Sequence, residues 1–82
     1  MDKEKAIIEV RRKGIIADLE VPLEITANDF IVAMDEVYHL GINRDNLSEC
    51  YVKTQFPIAL IRGSKTLREF GVRNGTVFNF DF

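Results

Sequence analysis

Few side chains in this 82-residue sequence are spaced for covalent or metal chemistry. His39 is the single histidine, and with no second histidine or cysteine near it in sequence, a metal-ligand set lacks its members. Cys50 is likewise single. A thiol becomes a nucleophile only beside a base in an electropositive site, whereas Cys50 opens an expected strand and suits a small buried hydrophobe. The carboxylate pairs Asp18/Glu20 and Asp35/Glu36 fall on faces expected to be solvated, and adjacent helix positions do not point together. Gly71 and Gly75 fit turns better than a phosphate cradle. The residues therefore imply no catalytic group, no metal and no cofactor, and the chain is expected not to be an enzyme.

What remains is surface chemistry. Arg11-Arg12-Lys13 crowns the first expected hairpin, and Arg62, Lys65, Arg68 and Arg73 gather around later turns. Solvated turn charge accounts for both groups; the sharper reading is an electrostatic docking surface for an acidic protein or an anionic membrane face. A third surface is one face of the sheet. If Ile8 and Val10 point inward, then Ile7, Arg11, Lys53 and Val77 share the outer face with Tyr51. That mixture suits a modest protein interface, and equally the solvated face of an antiparallel sheet. The candidate interaction residues are thus Ile7, Arg11, Tyr51, Lys53, Arg62, Lys65 and Arg68.

Composition narrows the partners. A net charge of −2 and a pI near 5.3 argue against a general nucleic-acid binder, which presents a basic excess. No apolar run approaches the roughly 18 residues that span a bilayer, and the start Met1-Asp2-Lys3-Glu4-Lys5 does not read as a signal peptide. One cysteine makes no internal disulfide, so a reducing, cytoplasmic setting is expected. The length is that of one domain, residues 1–82, and the hydrophobic content of 46% is ordinary for a globular chain.

The elements that must carry these surfaces are legible in the hydrophobic spacing. Ala6 to Arg12 and Ile16 to Val21 alternate as strands joined by Lys13-Gly14, an antiparallel hairpin that Pro22 ends. Thr26 caps the long helix, with Asp29 three residues on. Phe30, Ala33, Met34 and Val37, joined by Tyr38 or Leu40, form its apolar stripe, with Asn28, Asp35, Glu36 and His39 on or near the solvated side. Gly41 is expected to end it in a left-handed conformation. Asn43 to Glu49 reads as a loop, Cys50 to Gln55 as a third strand interrupted after Phe56 by Pro57, and Ile58 to Arg62 as a short edge strand. Thr66 and Glu69 box a single helical turn that Gly71 stops, with Leu67 and Val72 pinning it to the core. Asn74-Gly75 then turns the chain into a last strand in which Phe78, Phe80 and Phe82 share one face.

That order, with the run Thr66-Leu67, Phe70-Gly71-Val72 and Asn74-Gly75-Thr76 leading into a strand, resembles the ubiquitin-like β-grasp fold from Lys5 onward. The resemblance implies an α+β domain with a mixed sheet of four to five strands. One long helix (about 27–40) would pack across the sheet, with a short late helical turn (about 66–70). It implies a last strand lying centrally beside the first. Within that superfamily the chain looks most like the YukD group, small bacterial proteins of type VII (ESX-like) secretion systems. This implies a non-enzymatic accessory or regulatory module, with protein partners in membrane-associated secretion machinery, no nucleic acid and no small-molecule substrate. Ubiquitin-like modifiers and sulfur carriers, the alternative, end in a flexible diglycine. This sequence ends Asn79-Phe80-Asp81-Phe82, which disfavours conjugation. The position matching the central isoleucine of ubiquitin's recognition patch is Lys53, and the matching last-strand valine is Asp81, so readers of ubiquitin are expected to ignore this surface.

Overall fold

The computed structural model describes residues 4–80, with Ser48 described by its backbone alone. Strands β1 (Lys5–Arg12) and β2 (Ile15–Pro22) pair antiparallel from Lys5 opposite Pro22 to Arg12 opposite Ile15. Lys13 and Gly14 both take positive φ, 51° and 80°. This is the two-residue turn whose twist matches that of the flanking strands. Ala6, Ile8 and Val10 turn one face of β1 inward and are buried.

Helix α1 (Ala27–Tyr38) crosses that face. The Thr26 hydroxyl accepts the Asp29 amide at 3.2 Å, one half of the expected capping box. The buried stripe is Ala27, Phe30, Ile31 and Met34, the i, i+3, i+4, i+7 spacing of one helix face. It differs from the expected stripe at both ends. Ile31 is fully buried, whereas Val37 is 63% exposed. The buried arc is centred between Phe30 and Met34, so the half-buried Tyr38, one turn beyond Met34, extends it instead.

The helix also stops earlier than expected, and at a different residue. His39 takes the left-handed conformation (φ 53°) and its amide bonds the Asp35 carbonyl at 2.8 Å. Gly41 is left-handed as well (φ 76°), but it lies past the cap. The Asp35 side chain, placed near the solvated side by the sequence, is only 14% exposed because it holds this exit together. Its carboxylate accepts the Gly41 amide at 2.9 Å and the Arg44 guanidinium at 3.0 and 3.2 Å. Desolvation opposes the charged form of Asp35, but hydrogen bonds from Arg44 and from the Gly41 and Ile42 amides outweigh it, and the carboxyl titrates below its ordinary value.

A 3-10 segment (Arg44–Glu49) replaces the expected loop, opened by the Asn43 side chain accepting the Asp45 amide at 3.1 Å. Strands β3 (Val52–Gln55) and β4 (Ala59–Ile61) are shorter than the sequence pattern predicts, and β4 is an edge as expected. Between them the Phe56–Pro57 peptide is cis. The Thr54 hydroxyl donates to the Pro57 carbonyl at 2.8 Å, and the Thr76 hydroxyl to the Phe56 carbonyl at 2.6 Å. Thr66 and Glu69 satisfy each other's amides reciprocally, both at 3.2 Å, closing one hydrogen-bonded turn rather than a helix. Leu67 and Val72 pin that turn to the core, as expected.

Strand β5 (Val77–Asn79) completes a five-stranded sheet in the order β2-β1-β5-β3-β4, parallel to β1 and antiparallel to β3. Phe78 and Phe80 are fully buried against Phe30, with ring centroids 5.0 and 6.2 Å from it. Phe82 and Asp81 lie outside the described residues. Val77, on the opposite face, is buried too, because a central strand is flanked on both sides there by Glu9 and Gln55.

Two outcomes follow from this packing. Phe80→Ala should cost about 3–5 kcal/mol in urea denaturation, as buried aromatic truncations do, whereas Val37→Ala should stay within about 0.5 kcal/mol. A lowered native carboxyl contributes stability that is full above its unfolded value, about 3.9, and is lost as pH falls through the native value. The urea midpoint of the parent should therefore fall more steeply than that of Asp35→Asn as pH is lowered from about 3.9 through the native value; parallel curves over that interval would refute the role given to Asp35.

Candidate interaction surface

Strand parity decides what the sheet shows on the side away from α1. With Ile8, Val10, Val52, Ile61 and Phe78 turned inward, the alternate residues must turn outward. Register then builds one row across all five strands: Ile16, Arg11, Asn79, Lys53 and Leu60. A second row sets Asp18, Glu9, Val77 and Gln55 side by side. Ile7, opposite Glu20, stands beyond it and is 53% exposed. Ile16, Leu60 and Tyr51 are exposed as well.

The seven residues singled out from the sequence do not form one site. Ile7, Arg11 and Lys53 share the outer face, and Tyr51 immediately precedes β3. Arg11 is ion-paired to Glu9, whereas Lys53 has no ion pair among the described residues. Arg62 follows β4 and leads into a loop that docks on the start of α1: Gly63 and Lys65 carbonyls accept the Asn28 and Ala27 amides at 3.0 and 2.9 Å. The Lys65 ammonium lies 5.1 Å from the Phe70 ring centroid. Arg68 stands apart, at the foot of the hairpin, with Glu24 and Glu4 on its guanidinium. The hydrogen bonds it donates, to Glu24 first and Glu4 second, raise its pKa above the ordinary value. The basic surface expected from Arg62, Lys65, Arg68 and Arg73 thus includes one cation already matched by two carboxylates.

Four exposed apolar residues extend the surface beyond that set: Ile16 on the outer face, and Phe56, Ile58 and Leu60 around the β3–β4 turn. A signal for the last three was present, since Pro57 breaks the ladder amid apolar residues that no core position claims. Near them Lys53, Gln55, Ile58, Leu60 and Asn79 line a shallow groove of about 490 Å³. Lys53 and Asn79 also border a second hollow of about 300 Å³, with Tyr51, Cys50 and Leu40 among its walls.

Neither single reactive residue sits in a reactive setting. Cys50 is half-buried with its sulfur 3.8 and 3.9 Å from the carbonyl oxygens of Asn46 and Asn43, acceptors that do nothing to favour a thiolate. His39 is taken up as the helix cap. No group of three or more His, Cys, Asp or Glu able to hold a metal ion occurs among the described residues, and none of their helices is long and apolar enough to cross a membrane.

Comparison of the sequence with protein-family models and with curated proteins finds no match. Solved structures do match. The C-terminal ubiquitin-like domain of mouse tubulin-specific chaperone e superposes with a TM-score of 0.75 at 11% identity, covering 100% of this chain and 90% of that one. A de novo designed protein based on ubiquitin gives a TM-score of 0.63 at 16% identity, with 92% and 84% covered. The fold of this chain is ubiquitin-like: an α+β β-grasp with one helix packed on a mixed five-stranded sheet.

Proposed function

We propose that this chain is a non-enzymatic protein-interaction module that binds through the outer face of its sheet. The supporting observation is the set of apolar side chains on that face: Ile7, Ile16 and Leu60 remain exposed around Arg11 and Lys53, although Phe30, Phe78 and Phe80 already complete a core on the other side. Exposed apolar groups rimmed by charge are the ordinary composition of a modest protein interface. At a finer level, we read it as a cytoplasmic accessory or regulatory component of a type VII secretion system, of the YukD kind. A hairpin followed by a single amphipathic helix supports that reading, as does a candidate surface without reactive groups.

The test is in-cell crosslinking and affinity capture from the native organism, with Ile7→Asp/Leu60→Asp as the comparison and circular dichroism confirming its fold. Components of a secretion machinery should be captured by the parent and depleted with the variant. Equal recovery by both proteins would remove the outer face from the interaction. A carboxyl terminus found adenylated or thiocarboxylated by mass spectrometry would replace the module with a modifier or sulfur carrier.

A further inference from the structure

The outer face is not uniform. Toward its β4 edge it hollows into the groove of about 490 Å³, floored by Lys53 and Gln55 of β3 and Asn79 of β5 and walled by Ile58 and Leu60. Ile58 is 90% exposed and Leu60 41%, with Phe56 at 65% on the same turn. Apolar groups of this size left together in water mark a contact site more often than isolated ones do. Lys53 stands in register between Leu60 and Asn79. Among the described residues it is the sole charged one lining the groove, and none of the lining residues is a carboxylate.

Among the described residues four cations are matched by carboxylates. Lys5 meets Glu20, Arg11 meets Glu9, Arg44 meets Asp35 and Glu36, and Arg68 meets Glu24 and Glu4. Lys53 shares with Arg12, Lys13, Arg62, Lys65 and Arg73 the lack of an ion pair among the described residues, and differs from them in lining this groove. With 13 acidic residues against 11 basic ones, the chain is not short of carboxylates. At Lys53 the position in the groove, beside Ile58 and Leu60, is what makes the unmatched charge available to a bound segment.

A second copy fits poorly. Two grooves face to face would set a cation-only lining against itself, and like charges brought together in an interface are costly. Edge-to-edge pairing is opposed by the shortness of β4, three residues bounded by the Pro57 turn and by Arg62, features that blunt a sheet edge. One lysine is also too little positive charge to hold a nucleic-acid backbone.

Building on the interaction-module reading, we infer that the groove receives a short acidic-apolar segment of a partner protein. A Leu, Ile, Met or Phe of that segment packs against Ile58 and Leu60, and an Asp or Glu beside it pairs with Lys53. The side-chain amides of Gln55 and Asn79 face the segment with both donors and acceptors.

Selection from random-sequence peptides displayed on phage tests this, with enriched sequences resynthesised and titrated into isotope-labelled protein by NMR. Enriched sequences should carry an acidic residue next to an apolar one and shift the amides of Lys53, Ile58, Leu60 and Asn79. Ile58→Asp should weaken them by about tenfold or more. Lys53→Glu should weaken them and instead prefer the same peptides with Lys in place of the acid, a reversal that misfolding cannot produce. Enriched peptides without acidic bias, or shifts confined to another surface, would overturn the groove's assignment while leaving the module reading standing. Self-association in sedimentation velocity that Ile58→Asp abolishes would overturn it in favour of a second copy. No enrichment, with no partner captured in cells, would remove both readings.

Discussion

The packing of Phe30 against Phe78 and Phe80 is the constraint on which the remaining structure depends. Three rings, one on the central strand, one just past its end and one on the helix, supply the largest buried side chains among the described residues. Because β5 lies between β1 and β3, any displacement of those rings is a displacement of both halves of the sheet. A parallel pair cannot be closed by a tight turn. The chain therefore has to travel through α1, the 3-10 segment, β3, β4 and the Thr66 turn before β5 can reach β1, and burial of the rings makes that long closure favourable.

Backbone hydrogen bonds hold the connecting loops where the rings need them. The segment from Gly63 to Arg68 bonds repeatedly to Leu23, Ile25 and the first amides of α1, so the start of the helix and the late turn form one unit. The Asn28 side chain, assigned to the solvated side by spacing alone, accepts the Gly63 amide at 3.2 Å. Toward the same end of β1, the Asn74 side chain accepts the Ile7 amide at 2.8 Å, and the Gly75 amide donates to the Ile7 carbonyl at 3.0 Å. Turn residues thus complete the ladder of β1 where β5 has not yet begun.

Much of this was legible beforehand, since it depends on period and on turn chemistry. Ile8 and Val10, the Lys13-Gly14 reversal, the Thr66/Glu69 box and the inward face of Phe78 all follow from local patterns, while the central place of the last strand came from the resemblance. The departures have a common cause in tertiary contact. Val37 repeats with Phe30 in the sequence, yet the arc facing the sheet is set by Ile31 and Met34. Gly41 is the residue expected to stop a helix, yet Asp35 and Arg44 fix the exit at His39. The site was less legible. Parity placed Ile7, Arg11 and Lys53 on one face, but pairing register is needed to bring Leu60 beside Lys53, and no single segment carries that information. Arg68, expected among free cations, meets Glu4 and Glu24 across sequence separations of 64 and 44 residues.

Substitutions on the two faces of the sheet have different structural consequences. Substituting a ring beneath the helix disturbs several strands together, whereas exchanging Ile16, Lys53 or Leu60 alters little except what the molecule displays. The mouse chaperone domain follows a similar backbone path with only 11% of residues identical, so few particular side chains are needed to specify it. The face away from the helix can therefore be rewritten, residue by residue, with the frame beneath it left intact.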